Sequence, residues 1–405
     1  MHLRLATPES IRRSNLSLVL RRLHEAGPMS RSELGSKLGM TRSTIGLLVA
    51  DLAARGLVLE EGAARLGSPG RPSQVVHPNP AGLAVITAEV AVDSLAVGVV
   101  GLGGEFLGRL RTEHQPKRLS VEQTINDVGE MVRAVRRSLP TRALLAGVGI
   151  AIYGVVRRAD GLVHFAPNLG WRDIPLGTLI SNQLSDGLPI TIGNDADLGA
   201  LAEHARGAGV GIDHLLYLSS EVGVGGGLII DGRPLVGASG CAGEIGHIQV
   251  NPAGVQCRCG AIGCWETEIG ELALLRRAGR AQGAHRAAAV AAVLKDAARG
   301  KPTARAATEA VGHWLGSGIA GLVNTFNPRR VVLGGFLAAL HPLVEEIVAQ
   351  EMRVRTMAPA REVVDIRPAK LGSDAALLGA AELALAPFLD DPGIIPIRRA
   401  QAASA

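Results

Sequence analysis

"CRCGAIGCWE", Cys257 to Glu266, holds three of the chain's four cysteines within eight residues. The spacing is C-x-C-x4-C, and His247 stands upstream in "GEIGH". Three thiolates and one imidazole make the closed tetrahedral donor set of a structural zinc, with no position left open for catalysis. The glycines of the loop let the chain fold tightly around an ion. A disulfide competes with this reading, but a reducing compartment disfavours it. Unconnected buried cysteines are the plainer alternative, and the crowding argues against them. One structural zinc (Zn2+) per chain, on His247, Cys257, Cys259 and Cys264, is the expectation.

The loop sits in a chain of 405 residues, long enough for two or three domains. Hydrophobic residues make up 47%, which supplies large cores, and aromatic residues only 2%, which argues against a stacking platform for single-stranded nucleic acid. The start, "MHLRLATPESIRRSN", lacks an apolar signal-peptide core. The most apolar stretch, Gly82 to Gly104, is broken by Glu89 and Asp93, so no membrane span is expected. These readings place the protein in the cytoplasm.

From Ala81 onward, glycine-punctuated apolar runs alternate with helical patterns, as in an α/β architecture. "GLAVITAEVAVDSLAVGVVGLGG" reads as two strands with a turn near Asp93. "LLAGVGIAIYGVV", "PITIGND", "HLLYLSSEVGVGGGLIIDG" and "RRVVLGGFL" read as further strands. Ser120 to Leu139, Asp197 to Arg206 and the alanine-rich stretches between Glu268 and Asn324 read as helices. "VGVGGG" is a weak phosphate-loop signal, because glycine also serves tight turns.

The first fifth of the chain is different. Residues 1–80 carry 11 Lys and Arg against 6 Asp and Glu, while the rest carries 31 of each sign. All the formal excess of +5 therefore lies there, and a polyanion is the simplest partner. Ile11 to Ala26 is an amphipathic stretch closed by Gly27-Pro28. Ser30 and Glu33 have the spacing of a capping box, Gly39 breaks the helix that follows, and Thr41 caps a third. This is the layout of a helix-turn-helix, with Arg42, Ser43 and Thr44 at the start of the recognition helix. "LVLEEGAARLGSPGRPSQVVHP" adds two β-like runs around a Gly/Pro-rich tip, a wing whose Arg71 would enter a minor groove. A three-helix protein-docking module is the competing reading; the basic excess favours double-stranded DNA.

"GEIGHIQV" followed by "CRCGAIGCWE" resembles the signature of the ROK family, which groups sugar kinases with sugar-responsive repressors. "PNLGW" at Pro167–Trp171, "NDADLGALAE" at Asn194–Glu203 and "VVLGG" at Val331–Gly335 resemble family segments in the expected order. The resemblance implies a multi-domain fold: an N-terminal winged helix-turn-helix plus an α/β two-lobed, sugar-kinase-like (actin-like ATPase) body. The corresponding divisions are 1–80 for the DNA-binding domain, 81–196 with a C-terminal helix at about 373–390 for the first lobe, and 197–372 for the second. It also implies that Asn168, Asn194, Asp195, Glu244, His247 and Glu266 contact a sugar effector. His247 would use one ring nitrogen for zinc and the other for a sugar hydroxyl. A homodimer or homotetramer acting on a DNA operator is the arrangement it suggests.

Departures from the kinase pattern matter as much. The D-x-G-G-T-like first phosphate loop of ROK kinases corresponds to "EVAVDS", Glu89 to Ser94, where Ala91 and Val92 replace glycines and Asp93 the threonine. In the second loop, "SSEVGVGGG", Glu221 and Val222 displace small and hydroxyl residues. Bulk restricts backbone approach to phosphate, and added carboxylate repels it. The expectation is a transcriptional regulator, a repressor of sugar metabolism, with no enzyme activity and Asp195 as a vestigial base. An ATP-dependent sugar kinase with an appended DNA-binding domain is the alternative.

Overall fold

The computed structural model describes residues 7–62, 74–113, 120–221, 223–280 and 286–398. The N-terminal region runs α1 (Pro8–Ala26), β1 (Met29–Ser30), α2 (Arg31–Leu38), α3 (Arg42–Ala54), β2 (Val58–Glu61) and β3 (Val75–Pro78). The capping box forms as the spacing requires: Ser30 Oγ accepts from the Glu33 amide, and Glu33 accepts from the Ser30 amide. Gly39 ends α2 in the left-handed region at φ 65°, and Thr41 caps α3. Ile45, Leu48, Val49 and Leu52 bury one face of α3. β3 pairs antiparallel with both β1 and β2 in a three-stranded ribbon. Its tip, with Arg71, lies outside the described residues.

The first lobe contains β4 (Leu83–Val90), β5 (Ser94–Gly101), β6 (Phe106–Glu113), α4 (Val121–Val135), β7 (Leu144–Ile152), β8 (Val155–Arg157), β9 (Leu162–Ala166), β10 (Trp171–Ile174), α5 (Leu176–Leu184) and β11 (Ile190–Asn194). Helix α6 (Asp195–Arg206) leads to β12 (Leu215–Ser220), β13 (Val224–Ile230) and β14 (Arg233–Pro234). Next come α7 (Glu266–Ile269), α8 (Glu271–Arg277), α9 (Arg286–Ala298), α10 (Pro302–Phe326), β15 (Arg330–Gly335), α11 (Phe336–Arg355), α12 (Ala358–Val363) and β16 (Asp365–Pro368). Finally α13 (Ala375–Asp390) returns to the first lobe.

The two main sheets repeat one plan. Their orders are β11-β7-β4-β5-β6 and β14-β13-β12-β15-β16. In each, three strands form an antiparallel meander and two more add in parallel to its first strand. The chain therefore builds the same five-stranded unit twice, and α6 and α13 pack together between the units. The glycine run of β13 serves this packing. A Cβ at Gly225 or Gly227 would stand 2.6 Å from the Ala196 or Ala200 methyl of α6.

The N-terminal helices do not rest on a core of their own. Leu16, Leu20 and Leu23 of α1 share one buried cluster with Leu83 and Leu102 of the first lobe and Leu385 and Leu389 of α13. The stretch Gly372–Asp390 is long and apolar enough to cross a membrane, yet most of it is buried in this protein core.

Candidate ligand cavity and metal centre

At the start of the zinc-type loop, a turn is tied by the Cys257 amide donating to Ala261 O at 2.7 Å and the Gly260 amide to Cys257 O at 3.0 Å. Gly263, at φ 69°, presses against Asn251; a Cβ there would lie 1.6 Å from Asn251 O, so only glycine fits. Trp265 anchors the loop in the second lobe, with its indole N–H donating to Trp314 O at 2.9 Å. These constraints bring His247, Cys257, Cys259 and Cys264 together, with their ligand atoms all within 4.8 Å of one another. His247 Nδ1 is 3.7 Å from Cys257 Sγ, and Cys259 Sγ is 3.6 Å from Cys264 Sγ. Tetrahedral Zn–S bonds of about 2.3 Å would set sulfurs about 3.8 Å apart, so the donor set fits zinc. Burial and the neighbouring Glu266 carboxylate raise the Cys257 thiol, a cost that a divalent cation would reverse.

The loop forms one wall of a cavity of about 350 Å³, lined also by Asn168, Asn194, Asp195, Glu244, His247 and Glu266. All six residues expected at the sugar are thus brought together. His247 turns Nδ1 to the thiols and leaves Nε2 on the side of Glu244, 3.8 Å from its carboxylate. Glu266 accepts from the Cys257 thiol at 3.0 Å and from the Val224 amide at 3.3 Å. Asn194 is partly committed: its Oδ1 caps α6 through the Ala196 and Asp197 amides, and its Nδ2 donates to Gly154 O. Asn168 accepts from Arg258, a cavity residue that sequence reasoning missed.

Charge collects at the inner end. Tyr153 donates towards Glu221 at 2.5 Å and lies 3.3 Å from Glu89. Burial, opposed by Arg111 and helped by Glu221, pushes Glu89 up to about 7. Burial, then the Glu221 and Glu89 charges, raises Asp195 well above the carboxylate range. Asp197, buried beside Arg158, is pushed up to about 7. Tyr153, like Arg258, was not anticipated; the one available signal was that the chain has only two tyrosines and one ends a strand run. Asp93, expected beside the first loop, is exposed in the β4–β5 turn, and Val222 lies outside the described residues.

Residues 85–386 match the ROK family, three quarters of the chain. The chain belongs to the ROK family. This ROK protein is 29% identical over 381 residues to the xylose repressor of Bacillus subtilis, covering 94% of this chain and 97% of the relative. Against the glucokinase of Streptomyces coelicolor it is 31% identical over 318 residues, covering 75% of this chain and 98% of the kinase. Among solved structures, a ROK family transcriptional regulator, a homologue of the E. coli MLC protein, superposes with TM-score 0.75 at 24% identity, covering 94% of this chain and 97% of that one. The body therefore has the two-lobed fold shared by ROK regulators and kinases. The residues before position 85, which the kinase match largely leaves out, are included in the full-length match to the repressor.

Helix α6 joins the cavity to those N-terminal residues. Its first residue, Asp195, lines the cavity; its last, Arg206, lies at a buried seam against α1 and α13. There Arg206 Nε donates to Glu382 at 2.7 Å, and its NH1 donates to His24 O and to Gly103 O at 2.9 and 2.7 Å. The Gly103 amide donates to His24 Nδ1 at 3.0 Å, and His24 Nε2 lies 3.0 Å from Glu382 with Arg206 Nη2 beside it. Burial alone would push the Glu382 carboxyl up; His24 and Arg206 more than offset it and hold it at about 2. In the N-terminal region, Arg42 and Ser43 are exposed at the start of α3, and Thr44 is half-buried.

Proposed function

We propose that this ROK protein is a sugar-responsive, DNA-binding transcriptional repressor without kinase activity. The observation that carries the reading is α6. A cavity-lining residue, Asp195, sits at one end and the clamp on α1 at the other, about 18 Å apart for its 12 residues. A sugar that shifts α6, by preferring one arrangement of the two lobes, changes how the N-terminal helices are held. In this reading Asn168, Asn194, Asp195, Glu244, His247 and Glu266 hold the sugar. Arg42, Ser43 and Thr44 enter the major groove of an operator, and Arg71 its flanking minor groove. A homodimer or homotetramer pairs the heads. Zinc on His247, Cys257, Cys259 and Cys264 fixes the wall that carries Glu266, and the thiol set suits the cytoplasm.

The kinase reading has support in the glucokinase relatives and in the retained Asp195. Against it stand Glu89 and Glu221, joined through Tyr153 at the inner end of the cavity, where added phosphate charge would meet carboxylate. The test is operator binding by gel shift at fixed salt, titrated with a panel of pentoses and hexoses, beside an ATP-consumption assay. The expected result is operator release by one sugar in the wild type and no release in Asp195→Asn. Steady sugar-dependent ATP consumption that Asp195→Asn abolishes overturns the regulator-only reading.

A further inference from the structure

We propose that Leu47 reads the C5-methyl group of an operator thymine, and so sets base preference at one position of each half-site. The inference rests on the DNA-binding reading above and adds a residue to it.

Leu47 is 75% exposed, the highest value among the large apolar side chains of the described residues. It lies in the second turn of α3. The opposite face of that helix, Ile45, Leu48, Val49 and Leu52, is fully committed to the core. Ser43 and Ala50, one turn before and nearly one turn after Leu47, share its exposed face. Gly46 beside it is also small; a Cβ there would meet only Arg31 NH1, at 3.8 Å. One bulky apolar side chain thus projects from a face otherwise built of Ser, Gly and Ala. Such a face lets the helix axis come close to a groove floor, with Leu47 the side chain that reaches furthest.

The surroundings select the occupant. The helix begins with hydroxyls held in place: Thr41 Oγ1 lies 3.0 Å from Ser43 Oγ and 2.8 Å from Thr44 Oγ1. Exposed Lys37 and Arg42 flank it, and the first 80 residues carry the whole positive excess of the chain. An apolar partner surface on a second protein would not call for that charge; a phosphate-lined groove does. Within a major groove, the one apolar group a base presents is the thymine methyl.

The full chain is first used to select its preferred duplex from a random pool. Each thymine of that duplex is then replaced by uracil, which deletes only the methyl group, and binding is measured at fixed salt. For wild type, about fourfold weaker binding is expected at one thymine per half-site, the worth of a single buried carbon. Leu47→Ala should bind the unmodified duplex more weakly and lose that uracil sensitivity, with an unchanged salt slope. Unaltered thermal stability and zinc content check that the exposed site was changed without unfolding. Wild-type binding indifferent to uracil everywhere, or a Leu47→Ala variant with the wild-type uracil pattern, overturns the inference while leaving DNA binding intact. A change of oligomeric state in Leu47→Ala without any change in the uracil pattern assigns the residue to a second copy of the chain and overturns it equally. Selection of no duplex at all overturns the DNA-binding reading, and Leu47 with it.

Discussion

The two ends of α6 hold buried carboxylates in opposite conditions. At the cavity end Glu89, Asp195 and Glu221 crowd together, and burial with mutual repulsion drives Glu89 and Asp195 upward. At the seam end Glu382 is equally buried, yet His24 and Arg206 hold it down at about 2. The first group has spare acceptors facing a cavity; the second is satisfied by protein alone. A site awaiting a ligand and a site that fastens two parts of a protein can be told apart by this difference. One keeps its charges unbalanced, and the other closes its own hydrogen bonds.

Breaking the closed end should have the largest effect. Arg206→Ala leaves Glu382 buried without its cation, which should cost about 3–5 kcal/mol of stability in denaturant titrations. Zinc content should stay unchanged. A loss below about 1 kcal/mol would mean that the seam is wetter and looser than its hydrogen bonds imply.

The pH dependence of the two ends should have opposite signs. Glu89 is raised in the folded protein, so between about 4.5 and 7 the native state holds a proton that the unfolded chain has lost, and stability falls as pH rises through that window. Glu89→Gln should remove up to about 3 kcal/mol of that decline. Glu382 is lowered, so its contribution is complete above about 4.5 and is lost as pH falls towards 2. Unfolding curves from pH 3 to 8 for wild type and Glu89→Gln would separate the two windows.

Removing the metal should weaken the cavity end and spare the seam. Cys257→Ser, or chelation, should abolish the one zinc per chain expected in metal analysis and reduce sugar affinity about 10–100-fold. Protein that purifies without zinc and is indifferent to chelators would remove the metal from the account. At the smallest scale, Glu244→Ala should cost about 1–3 kcal/mol of sugar binding by leaving a hydroxyl unpaired. Calorimetric affinity equal to wild type for the same sugar would exclude Glu244 from the site.

How far each end could be read in the sequence follows from the distance over which its residues act. Ser30 and Glu33, Gly39 and Thr41 act within a single turn, and each does in the structure what its spacing required. The cysteines are separated by a few residues and His247 by ten, so the gathering of these four side chains was also legible. Asn168, Asn194, Asp195, Glu244 and Glu266 were legible through motifs, although no spacing rule showed that they share one cavity. The seam was not legible. His24 meets Gly103, Arg206 and Glu382 across 79, 182 and 358 residues, and each taken alone reads as an ordinary surface residue. The glycines of β13 were ambiguous for a related reason: the residues that demand them, Ala196 and Ala200, are on another element. The shared core beneath α1 escaped notice because an amphipathic helix does not announce which apolar surface it will cover.

The pairing of His24 with Glu382 also orders events during synthesis. His24 of α1 leaves the ribosome 358 residues before Glu382 of α13, which fastens it. At about 5–20 residues per second, α1 waits roughly 20–70 s for its partner. During that time Leu16, Leu20 and Leu23 have no α13 to cover them, and they are exposed to chaperones or to other nascent chains. A message cut short before α13 yields a chain in which His24 and the α1 leucines keep no partner from that helix.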